Sequence, residues 1–385
     1  MRIGIVGAGP AGSLCASLLS SNGCEVLLFD HRGAWEKPCG GGVTHKGVDR
    51  YPFLRNCLET CRTIRTLQVV SPRNAQVEVV LEEPISIYSR SALNQLLLIR
   101  ATDGGARFCQ ERVLDFRRRQ TGWEVKTDKA NHHVTWLVGA DGVNSLVRRK
   151  LSSNFVPEDL MMTFGYRVPR DFGDRIEIKF FPKLLGYYWA FPRRNHVSFG
   201  ICGRLSQHPT REIKEYLHHF LEDAGYLSNG SETQHWQVYS ALIPSLRRQS
   251  FCDNSVCGDG WALLGDAAGF VDPITCEGIF FALRSAELLA QSLLEGRPLI
   301  YPDLCRQDFV ADFIHAAELF EKFYAGRFLG SDFITRMVQA TSRSQTLRNT
   351  MNAFVAGRQD YRTLRWHLIR KTPQVLLQMA GSVVR

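Results

Sequence analysis

The sequence predicts a mixed α/β protein whose first part alternates strands and helices, whose middle is an antiparallel sheet, and whose last part is helical. Three observations lead to this prediction. Residues 2–30 read as an apolar strand, a helix rich in Ala, Leu and Ser, and a second apolar strand. Residues 163–244 hold short segments of β type around one helix, and the residues after Gly278 follow a helical pattern. The expected fold class is α/β, α+β overall.

The length of 385 residues is too great for one compact core, so we expect two or three domains. No linker rich in Pro or Ser separates them, and we therefore expect the domains to be interleaved. The predicted division is a first, discontinuous domain of residues 1–62, 89–154 and 255–295, a β-sheet substrate domain of residues 63–88 and 155–254, and a C-terminal helical region of residues 296–385.

The composition, with 44% hydrophobic and 22% charged residues, excludes disordered and low-complexity classes. The eleven cysteines are scattered and show neither a CxxC pair nor a Cys/His spacing typical of zinc, so we expect reduced thiols and no metal site. No segment resembles a signal peptide, and no apolar run approaches the roughly 20 residues of a spanning helix. We therefore expect a cytoplasmic protein.

A glycine-rich turn, Gly7-Ala8-Gly9-Pro10-Ala11-Gly12, stands between the first strand and the first helix. In this pattern Gly7 permits the tight turn, Gly9 lets a pyrophosphate approach the backbone, and Gly12 lets the helix pack closely on the strand. The helix N-terminus offers free N–H groups to phosphates. Asp30 ends the second strand, where a carboxylate can accept hydrogen bonds from a ribose. The turn predicts a dinucleotide site but does not distinguish FAD from NAD.

Two further glycine motifs each follow an apolar strand. The first runs from Gly139 to Arg148 and contains Asp141-Gly142, and the second is Gly265-Asp266-Ala267-Ala268-Gly269. With the first turn, they resemble the flavoprotein monooxygenase-like superfamily, which includes relatives of p-hydroxybenzoate hydroxylase, flavin halogenases and geranylgeranyl reductases. The resemblance implies FAD as the cofactor.

The resemblance also implies roles for individual residues of the FAD site. Asp266, after Gly265, would place its carboxylate near the ribityl hydroxyls, and Asp141 and Gly142 would lie near the cofactor. Arg90, before a helix, would reach FAD, and the backbone at Val113 would meet the adenine. The helix that begins near Gly278 and Ile279 would point its N–H groups at the flavin edge that carries negative charge on reduction.

Two other segments resemble the geranylgeranyl reductase family in particular. They are Lys37-Pro38-Cys39-Gly40-Gly41-Gly42, which matches a KPCGGG stretch, and Tyr187-Tyr188-Trp189-Ala190-Phe191-Pro192, which matches a YxWxFP motif. The resemblance places the glycine loop against the flavin and the aromatic strand along the substrate chain. One departure is Cys276, because the family usually has glycine in that Thr-x-Glu-Gly-Ile stretch. A thiol there would narrow the site and affect substrate choice.

Tyr187, Trp189 and Phe191 share one face of a strand, because side chains alternate with period two. Such a stripe is typical of a sheet core, and it is equally expected of a substrate-binding face. Cys39 is either a small buried residue or a group beside the redox centre that can donate a proton. We assign Cys39, Tyr187 and Trp189 as candidate catalytic residues, and Tyr187, Trp189, Phe191 and Cys276 as candidate substrate-binding residues.

The function expected from this resemblance is an FAD-dependent reductase that saturates C=C bonds of an isoprenoid chain, with NAD(P)H or ferredoxin as electron donor. A monooxygenase or halogenase acting on an aromatic substrate is the alternative, and a flavoprotein that only binds lipids or passes on electrons is a third. Oxygen consumption or anaerobic, substrate-dependent flavin reoxidation would distinguish them. The sequence leaves the oligomeric state open.

The positive charge of the chain is concentrated at its end. Residues 343–385 hold eight basic residues and one acidic residue, which accounts for seven of the nine net positive charges. The basic residues are interspersed with apolar ones such as Trp366 and Ile369. This pattern is that of a solvated basic face on a packed helix, or of a surface that meets anionic lipid headgroups or a pyrophosphate. No nucleic-acid-binding motif accompanies the charge, so no nucleic-acid partner is expected.

Overall fold

The structure, a computed structural model, describes residues 1–227, 235–328 and 330–381. Within these ranges, the side chains of Cys57, Leu58, Arg365, Leu376, Leu377 and residues 379–381 are not described. The chain divides into two compact units, which are treated separately below. Unit 1 consists of Met1–Lys37, Arg90–Val156 and Ile243–Ile314, and unit 2 of Pro38–Ser89, Pro157–Leu242 and His315–Arg385.

The sequence-based division differs from these units at several places, one of which is residues 243–254, which it placed in the β-sheet domain and which belong to unit 1. It grouped residues 38–62 with the first domain and treated residues 296–385 as a separate region, whereas residues 38–89 and 315–385 cluster with the large sheet of unit 2. The physical reason is pairing: strand Gly42–Val43 bonds to strand Gln76–Tyr88, and the C-terminal helices pack on that same strand.

The strands of the described residues are numbered in chain order. They are β1 (Arg2–Val6), β2 (Glu25–Phe29), β3 (Gly42–Val43), β4 (Cys61–Val70), β5 (Gln76–Tyr88), β6 (Arg107–Cys109), β7 (Val113–Arg119), β8 (Gly122–Thr127), β9 (Asn131–Val134), β10 (Trp136–Gly139), β11 (Leu160–Val168), β12 (Arg175–Lys179), β13 (Gly186–Pro192), β14 (Val197–Arg204), β15 (Gln237–Pro244), β16 (Cys257–Gly258), β17 (Trp261–Leu263), β18 (Arg327–Phe328) and β19 (Ser331–Asp332).

The α-helices of the same described ranges are α1 (Pro10–Ser20), α2 (His45–Arg50), α3 (Arg90–Asp103), α4 (Leu146–Leu151), α5 (Thr210–Asp223), α6 (Arg248–Cys252), α7 (Gly265–Ala268), α8 (Ile279–Leu294), α9 (Tyr301–Cys305), α10 (Ala311–Tyr324), α11 (Phe333–Arg343), α12 (Gln345–Val355) and α13 (Tyr361–Gly381). None of them is both long enough and apolar enough to cross a bilayer. The mixed α/β class predicted from the sequence is confirmed.

Unit 1 is built on a parallel sheet. Its strand order is β16-β17-β10-β1-β2-β6, and only the pairing of β16 with β17 is antiparallel. Strand β1 is central and buried from Ile3 to Val6, as a strand covered on both faces should be. Helix α1 packs against α3 and α8. The carboxyl ends of β1, β10 and β17 lie side by side, so the three glycine motifs that follow these strands meet at one edge of the sheet.

Unit 2 is built on an eight-stranded sheet with the order β15-β11-β14-β13-β12-β4-β5-β3. One face of the sheet carries an apolar core that includes Tyr188, Phe199 and Ile201 and is covered by Leu217 and Leu221 of α5. The sequence predicted an antiparallel sheet, but β4 and β12 pair in parallel. These two strands are separated by more than a hundred residues, so no hairpin fixes their relative direction.

Among the described residues after Gly278, the regular structure is helical, as the sequence pattern predicted, except for the short pair β18–β19. Helices α11 and α12 pack on β5. Two polar contacts fix the end of α12 to that strand: Asn352 Nδ2 donates to the carbonyl of Val80 at 3.2 Å, and Arg358 forms ion pairs with Glu82 and Glu83.

Candidate functional site

The first glycine turn is closely packed on two sides and open in the middle. Gly7 has φ +103°, and a Cβ on it would lie 2.4 Å from the carbonyl oxygen of Ala140. A Cβ on Gly12 would lie 1.9 Å from the carbonyl oxygen of Gly7. By contrast, no atom stands within 4 Å of the Cβ position of Gly9, which caps the N-terminus of α1 without a side-chain hydrogen bond. The turn therefore leaves space and free N–H groups for a phosphate.

Asp30 follows β2 and holds the backbone around this turn. Its Oδ2 accepts the N–H of Ala8 at 2.9 Å, and its Oδ1 accepts the N–H groups of Arg32 and Gly33 at 2.8 and 3.2 Å. The sequence predicted a ribose partner here. An ionised carboxylate offers about four lone-pair sites, so these bonds leave capacity for a ribose hydroxyl.

The Asp141–Gly142 turn follows β10. Asp141 Oδ2 accepts the N–H of Leu146 at 2.7 Å, and Ser145 caps α4 by accepting the N–H of Arg148 at 2.9 Å. Gly142 has φ +81°, a conformation that favours glycine. Burial raises the pKa of Asp141, and the hydrogen bonds that the carboxylate accepts only partly offset this effect.

Asp266 forms an ion pair with Lys37, whose Nζ lies 2.9 Å from Asp266 Oδ2. Burial disfavours the charged carboxylate, but the charges of Lys37 and Arg90 outweigh burial, so the pKa of Asp266 lies below its usual value. The position of a Cβ on Gly278, just before α8, is 3.3 Å from Asp266 Oδ1. The structure thus brings Asp266 to the N-terminus of α8. The resemblance implied that both would lie near the flavin, and their closeness in the structure is compatible with that prediction.

The loop that carries Asp266 is held by groups from elsewhere in unit 1. Arg148, 3% exposed, donates to the carbonyl of Ala267 at 3.3 Å and to Asn254 at 3.0 Å, while Asn254 donates to the carbonyl of Ala268 at 2.8 Å. Gly265 has φ +52°, and its Cβ position lies 3.3 Å from the Cβ of Ala11, so this loop packs against α1.

The turn before α8 contains a strained residue. Cys276 has φ +57°, in the left-handed region that non-glycine residues avoid. The turn is closed by Asp272, which accepts the N–H groups of Ile274 and Thr275 through Oδ1 at 2.8 and 2.9 Å. A glycine, which the resemblance implies at this position, would adopt this conformation without strain. The helix that follows begins at Ile279, and Gly278 provides no side-chain cap for its N–H groups.

The sequence analysis placed Arg90 just before a helix. In the structure Arg90 is instead the first residue of that helix, α3. The carboxylate of Glu36 caps that helix by accepting the N–H groups of Arg90 and Ser91 at 3.0 and 2.9 Å. Arg90 is 3% exposed, and its Nε has no hydrogen-bond partner among the described residues. Val113 begins β7 and is partly exposed.

These features fit FAD in unit 1. The open position at Gly9, the uncapped N-termini of α1 and α8, and the buried, unpartnered Nε of Arg90 are the kinds of groups that a dinucleotide satisfies. The residues that would hold it are those of the three glycine motifs together with Asp30, Arg90 and Asp266.

The other predicted residues lie in unit 2, where the glycine loop Cys39–Gly42 packs on the end of β13. A Cβ on Gly40 would lie 2.1 Å from the ring of Phe191, and one on Gly41 would lie 2.3 Å from the carbonyl oxygen of Tyr88. Arg193, 3% exposed, donates through Nη2 to the carbonyls of Cys39 and Gly40 at 2.7 and 3.3 Å. The Gly41 N–H points to the thiol of Cys39, with N and Sγ 3.3 Å apart.

The aromatic stripe of β13 lies on the sheet face opposite the α5 core. Ring centroids are 5.9 Å apart between Tyr187 and Trp189 and 6.4 Å apart between Trp189 and Phe191, while the alternating Tyr188 belongs to the core. The Trp189 ring lies directly over Gly200, whose Cβ position is 2.2 Å from Trp189 Cζ2. Trp189 Nε1 is buried with no hydrogen-bond partner in the described part of the chain. A polar group of a ligand would satisfy it.

Four supporting residues were assigned no role from the sequence: Glu36, Lys37, Arg148 and Arg193. Lys37 belongs to the KPCGGG stretch and Arg148 to the motif Gly139–Arg148, so membership of a motif was the one sequence signal that these two residues offered. Arg193 directly follows the aromatic motif, but its partners Cys39 and Gly40 are more than 150 residues away. No local pattern reveals such a contact.

Comparison with known proteins agrees with this geometry. Residues 1–167 match the family described as FAD binding domain. The geranylgeranyl diphosphate reductase of Synechocystis sp. is 28% identical over 327 residues, covering 76% of this chain and 75% of that protein. Digeranylgeranylglycerophospholipid reductase 2 of Methanothermobacter thermautotrophicus is 29% identical over 331 residues, covering 76% of this chain and 78% of that protein.

Among solved structures, a geranylgeranyl bacteriochlorophyll reductase-like protein from Thermoplasma acidophilum shares the fold with a TM-score of 0.77. That match is 20% identical and covers 96% of this chain and 98% of the other. These findings confirm the resemblance seen in the motifs: the chain is similar to the geranylgeranyl reductase family of FAD-dependent oxidoreductases, and the solved structure shows a shared fold.

Proposed function

We propose that this protein is an FAD-dependent reductase that saturates C=C bonds of an isoprenoid chain. The three glycine motifs would hold FAD, and the aromatic stripe Tyr187, Trp189 and Phe191 would bind the isoprenoid. The names of the relatives support a substrate of this class, since both curated reductases described above are named for geranylgeranyl compounds. The chain length, the headgroup and the electron donor, NAD(P)H or ferredoxin, are left open by the proposal.

The observation that carries the proposal is the packing of two motifs into one substructure. Gly40 lies against the ring of Phe191, and Arg193 ties the backbone of Cys39 to the end of the same strand. The glycine loop and the aromatic stripe, each of which resembles a reductase motif by itself, therefore form one surface within unit 2. Trp189 is 5% exposed, so an apolar chain would meet the stripe at the partly exposed rings of Tyr187 and Phe191.

FAD, when bound and reduced, would supply a hydride to one alkene carbon. The protein must then supply a proton to the other carbon, because an isolated alkene is not polarised. Cys39 is the candidate donor, because a thiol can donate a proton and the carbonyl of Cys39 is held by Arg193. Tyr187 and Trp189 would hold the isoprenoid chain of the substrate in one position. Such positioning lowers the entropy that the reactants must lose on reaching the transition state.

The test is anaerobic. The flavin of the purified holoprotein is reduced, a geranylgeranyl diphosphate or a digeranylgeranyl lipid is added, and flavin absorbance and product mass are followed. Reoxidation with a gain of two mass units per double bond supports the proposal. Reoxidation only after oxygen is admitted, with a gain of sixteen mass units, would establish the monooxygenase alternative. The absence of substrate-dependent reoxidation in both conditions would leave only a lipid-binding or electron-carrying role.

The proton donor is tested with Cys39→Ser, and Cys252→Ser serves as a matched control because Cys252 is exposed. A hydroxyl is a far poorer acid than a thiol, so we expect reoxidation to slow by about 10²–10⁴-fold with FAD retained. The control should reoxidise at the wild-type rate. A loss of only two- or threefold in Cys39→Ser would assign proton transfer to water or another residue.

A further inference from the structure

The aromatic stripe of β13 continues beyond Tyr187 onto other elements of unit 2. The ring centroids of Tyr187 and Phe180 are 6.1 Å apart, and Phe180 directly follows β12. The Phe180 ring lies 5.7 Å from that of Phe323 on α10, and the Phe323 ring lies 6.2 Å from that of Phe333, the first residue of α11. These separations are typical of aromatic rings in contact. Phe180, Phe323 and Phe333 are here called the aromatic extension.

Backbone contacts bring the two helical members of the extension together. Between α10 and α11 the chain reverses direction through the pair β18–β19. The N–H of Phe333 donates to the carbonyl of Gly326 at 2.9 Å, and Asp332 caps α11 by accepting the N–H of Thr335 at 2.7 Å. The start of α11 is therefore held beside the end of α10, and the Phe333 ring has a defined place.

The extension passes from a buried ring beside the stripe to rings that reach the surface. Phe180 is 7% exposed and lies on the sheet face of the stripe, because Ile178, two residues earlier, pairs with Trp189. Phe323 is partly exposed, and Phe333 is 37% exposed. Contiguous apolar surface of this kind is a feature of binding sites.

The chemistry of the extension selects its occupant. Its three side chains carry no polar atom, so they offer nothing that would replace the water around a charged headgroup. A hydrocarbon chain, by contrast, gains free energy when it leaves water for such rings. The extension is also continuous with the stripe to which the isoprenoid is assigned above. These two arguments favour the apolar part of the same ligand.

We propose that the aromatic extension binds the hydrocarbon end of the isoprenoid, remote from its headgroup, and so favours long chains over short ones. The inference rests on the proposed function, because it requires an isoprenoid on the stripe. The glycine loop contacts the other end of the stripe at Phe191. A chain that extends from there passes Tyr187 before it reaches Phe323 and Phe333, and a short chain ends before these two rings.

The experiment compares geranyl, farnesyl and geranylgeranyl diphosphate. Binding to the oxidised holoprotein is measured by calorimetry, and reoxidation of the reduced flavin is followed without oxygen. In wild type we expect affinity to rise with chain length. Phe333→Ala should weaken binding of geranylgeranyl diphosphate by about tenfold and leave geranyl diphosphate unchanged, because only the long chain loses apolar contact. The KM for the long chain should rise with kcat constant, as for a contact made equally in ground and transition states.

The matched control is Phe328→Ala. Phe328 belongs to β18 and is 54% exposed, and none of the described rings contacts it. This variant should keep the wild-type affinity for all three compounds. Phe323→Leu, which keeps an apolar side chain but removes the ring, should lower the affinity for the long chain less than Phe333→Ala does. FAD content and circular dichroism show that each variant is folded.

The outcomes separate this inference from the proposed function. If wild type reduces geranylgeranyl diphosphate but Phe333→Ala keeps the wild-type affinity for all three chains, the inference is wrong and the proposed function stands. An equal loss for all three chains would also overturn it, since the headgroup would then lie at Phe333. A changed molecular mass of Phe333→Ala with unchanged binding would assign the ring to a contact between two copies of the chain. If wild type neither binds nor reduces any of the compounds, the proposed function fails and the inference fails with it.

Discussion

Replacing Arg193 by Met should loosen the glycine loop of unit 2 while leaving the fold intact. Nη2 of Arg193 donates to the carbonyls of Cys39 and Gly40 at 2.7 and 3.3 Å, and the side chain is 3% exposed. Hydrogen bonds from a charged donor contribute about 1.5–3 kcal/mol. If the shorter bond contributes about 2 kcal/mol to holding the loop closed, its loss raises the open fraction about 30-fold, since 1.4 kcal/mol corresponds to a factor of ten.

Hydrogen exchange of the peptides that contain Gly41 and Tyr88 measures this opening directly. The Gly41 N–H points to Cys39 Sγ, and the Gly41 carbonyl accepts the N–H of Tyr88 at 2.9 Å, so exchange at Gly41 and Tyr88 should accelerate together. Arg194→Met is the matched control, because Arg194 is exposed and adjacent. A folded Arg193→Met protein in which these amides exchange at the wild-type rate would show that the arginine does not hold the loop.

Three further predictions concern single residues. Asp266→Ala should yield folded protein with little FAD, because Lys37 loses its partner at 2.9 Å. Flavin absorbance per mole of protein measures the loss. Wild-type FAD stoichiometry would contradict our placement of the flavin motif. Cys276→Gly should stabilise the protein by about 1 kcal/mol in urea unfolding, since φ +57° strains a cysteine; Asn74→Gly at φ +59° should gain less, because Asn tolerates this region. Gly200→Ala should displace the Trp189 ring, which lies 2.2 Å from the new Cβ, and change near-ultraviolet circular dichroism with FAD retained.

The parts of the FAD site that could be predicted are those fixed by a few consecutive residues. The turn from Gly7 to Gly12 needs a positive φ at Gly7 and close packing of the helix at Gly12. Glycine at each of these two positions, only five residues apart, indicates both requirements. The Gly265–Gly269 segment is predictable for the same reason. A strand, such a turn and a helix in succession determine the geometry of the turn locally. Predicting that geometry therefore requires little information from the rest of the chain.

The groups that support these turns could not be predicted, because each joins segments far apart in the chain. Lys37 and Asp266 are separated by more than two hundred residues, and Arg193 and Cys39 by more than one hundred and fifty. Cys276 shows a different limit. The substitution is visible in the sequence, but the left-handed backbone that makes it costly is visible only in the structure.

The aromatic stripe shows what the structure adds to a periodic pattern. Period two requires that Tyr187, Trp189 and Phe191 share a face, and it assigns Tyr188 and Ala190 to the other, but it cannot say which face is the core. The structure answers this question through α5, which covers Tyr188 and Ala190. The three rings therefore lie on the other face of the sheet. The glycine loop contacts that face through Gly40, which packs on the ring of Phe191.

This contact changes the weight of the sequence resemblance. Taken separately, KPCGGG and YxWxFP are two short patterns, and either can occur by chance in a strand or a loop. In the structure they are complementary: position 40 must lack a side chain because the Phe191 ring occupies the Cβ position at 2.1 Å, and the residue two places after that ring donates to the loop carbonyls. A chance match of one motif would not create the shape that the other requires. The pair therefore counts as one physical feature, and a substitution at Gly40 should be tolerated only together with a smaller residue at Phe191.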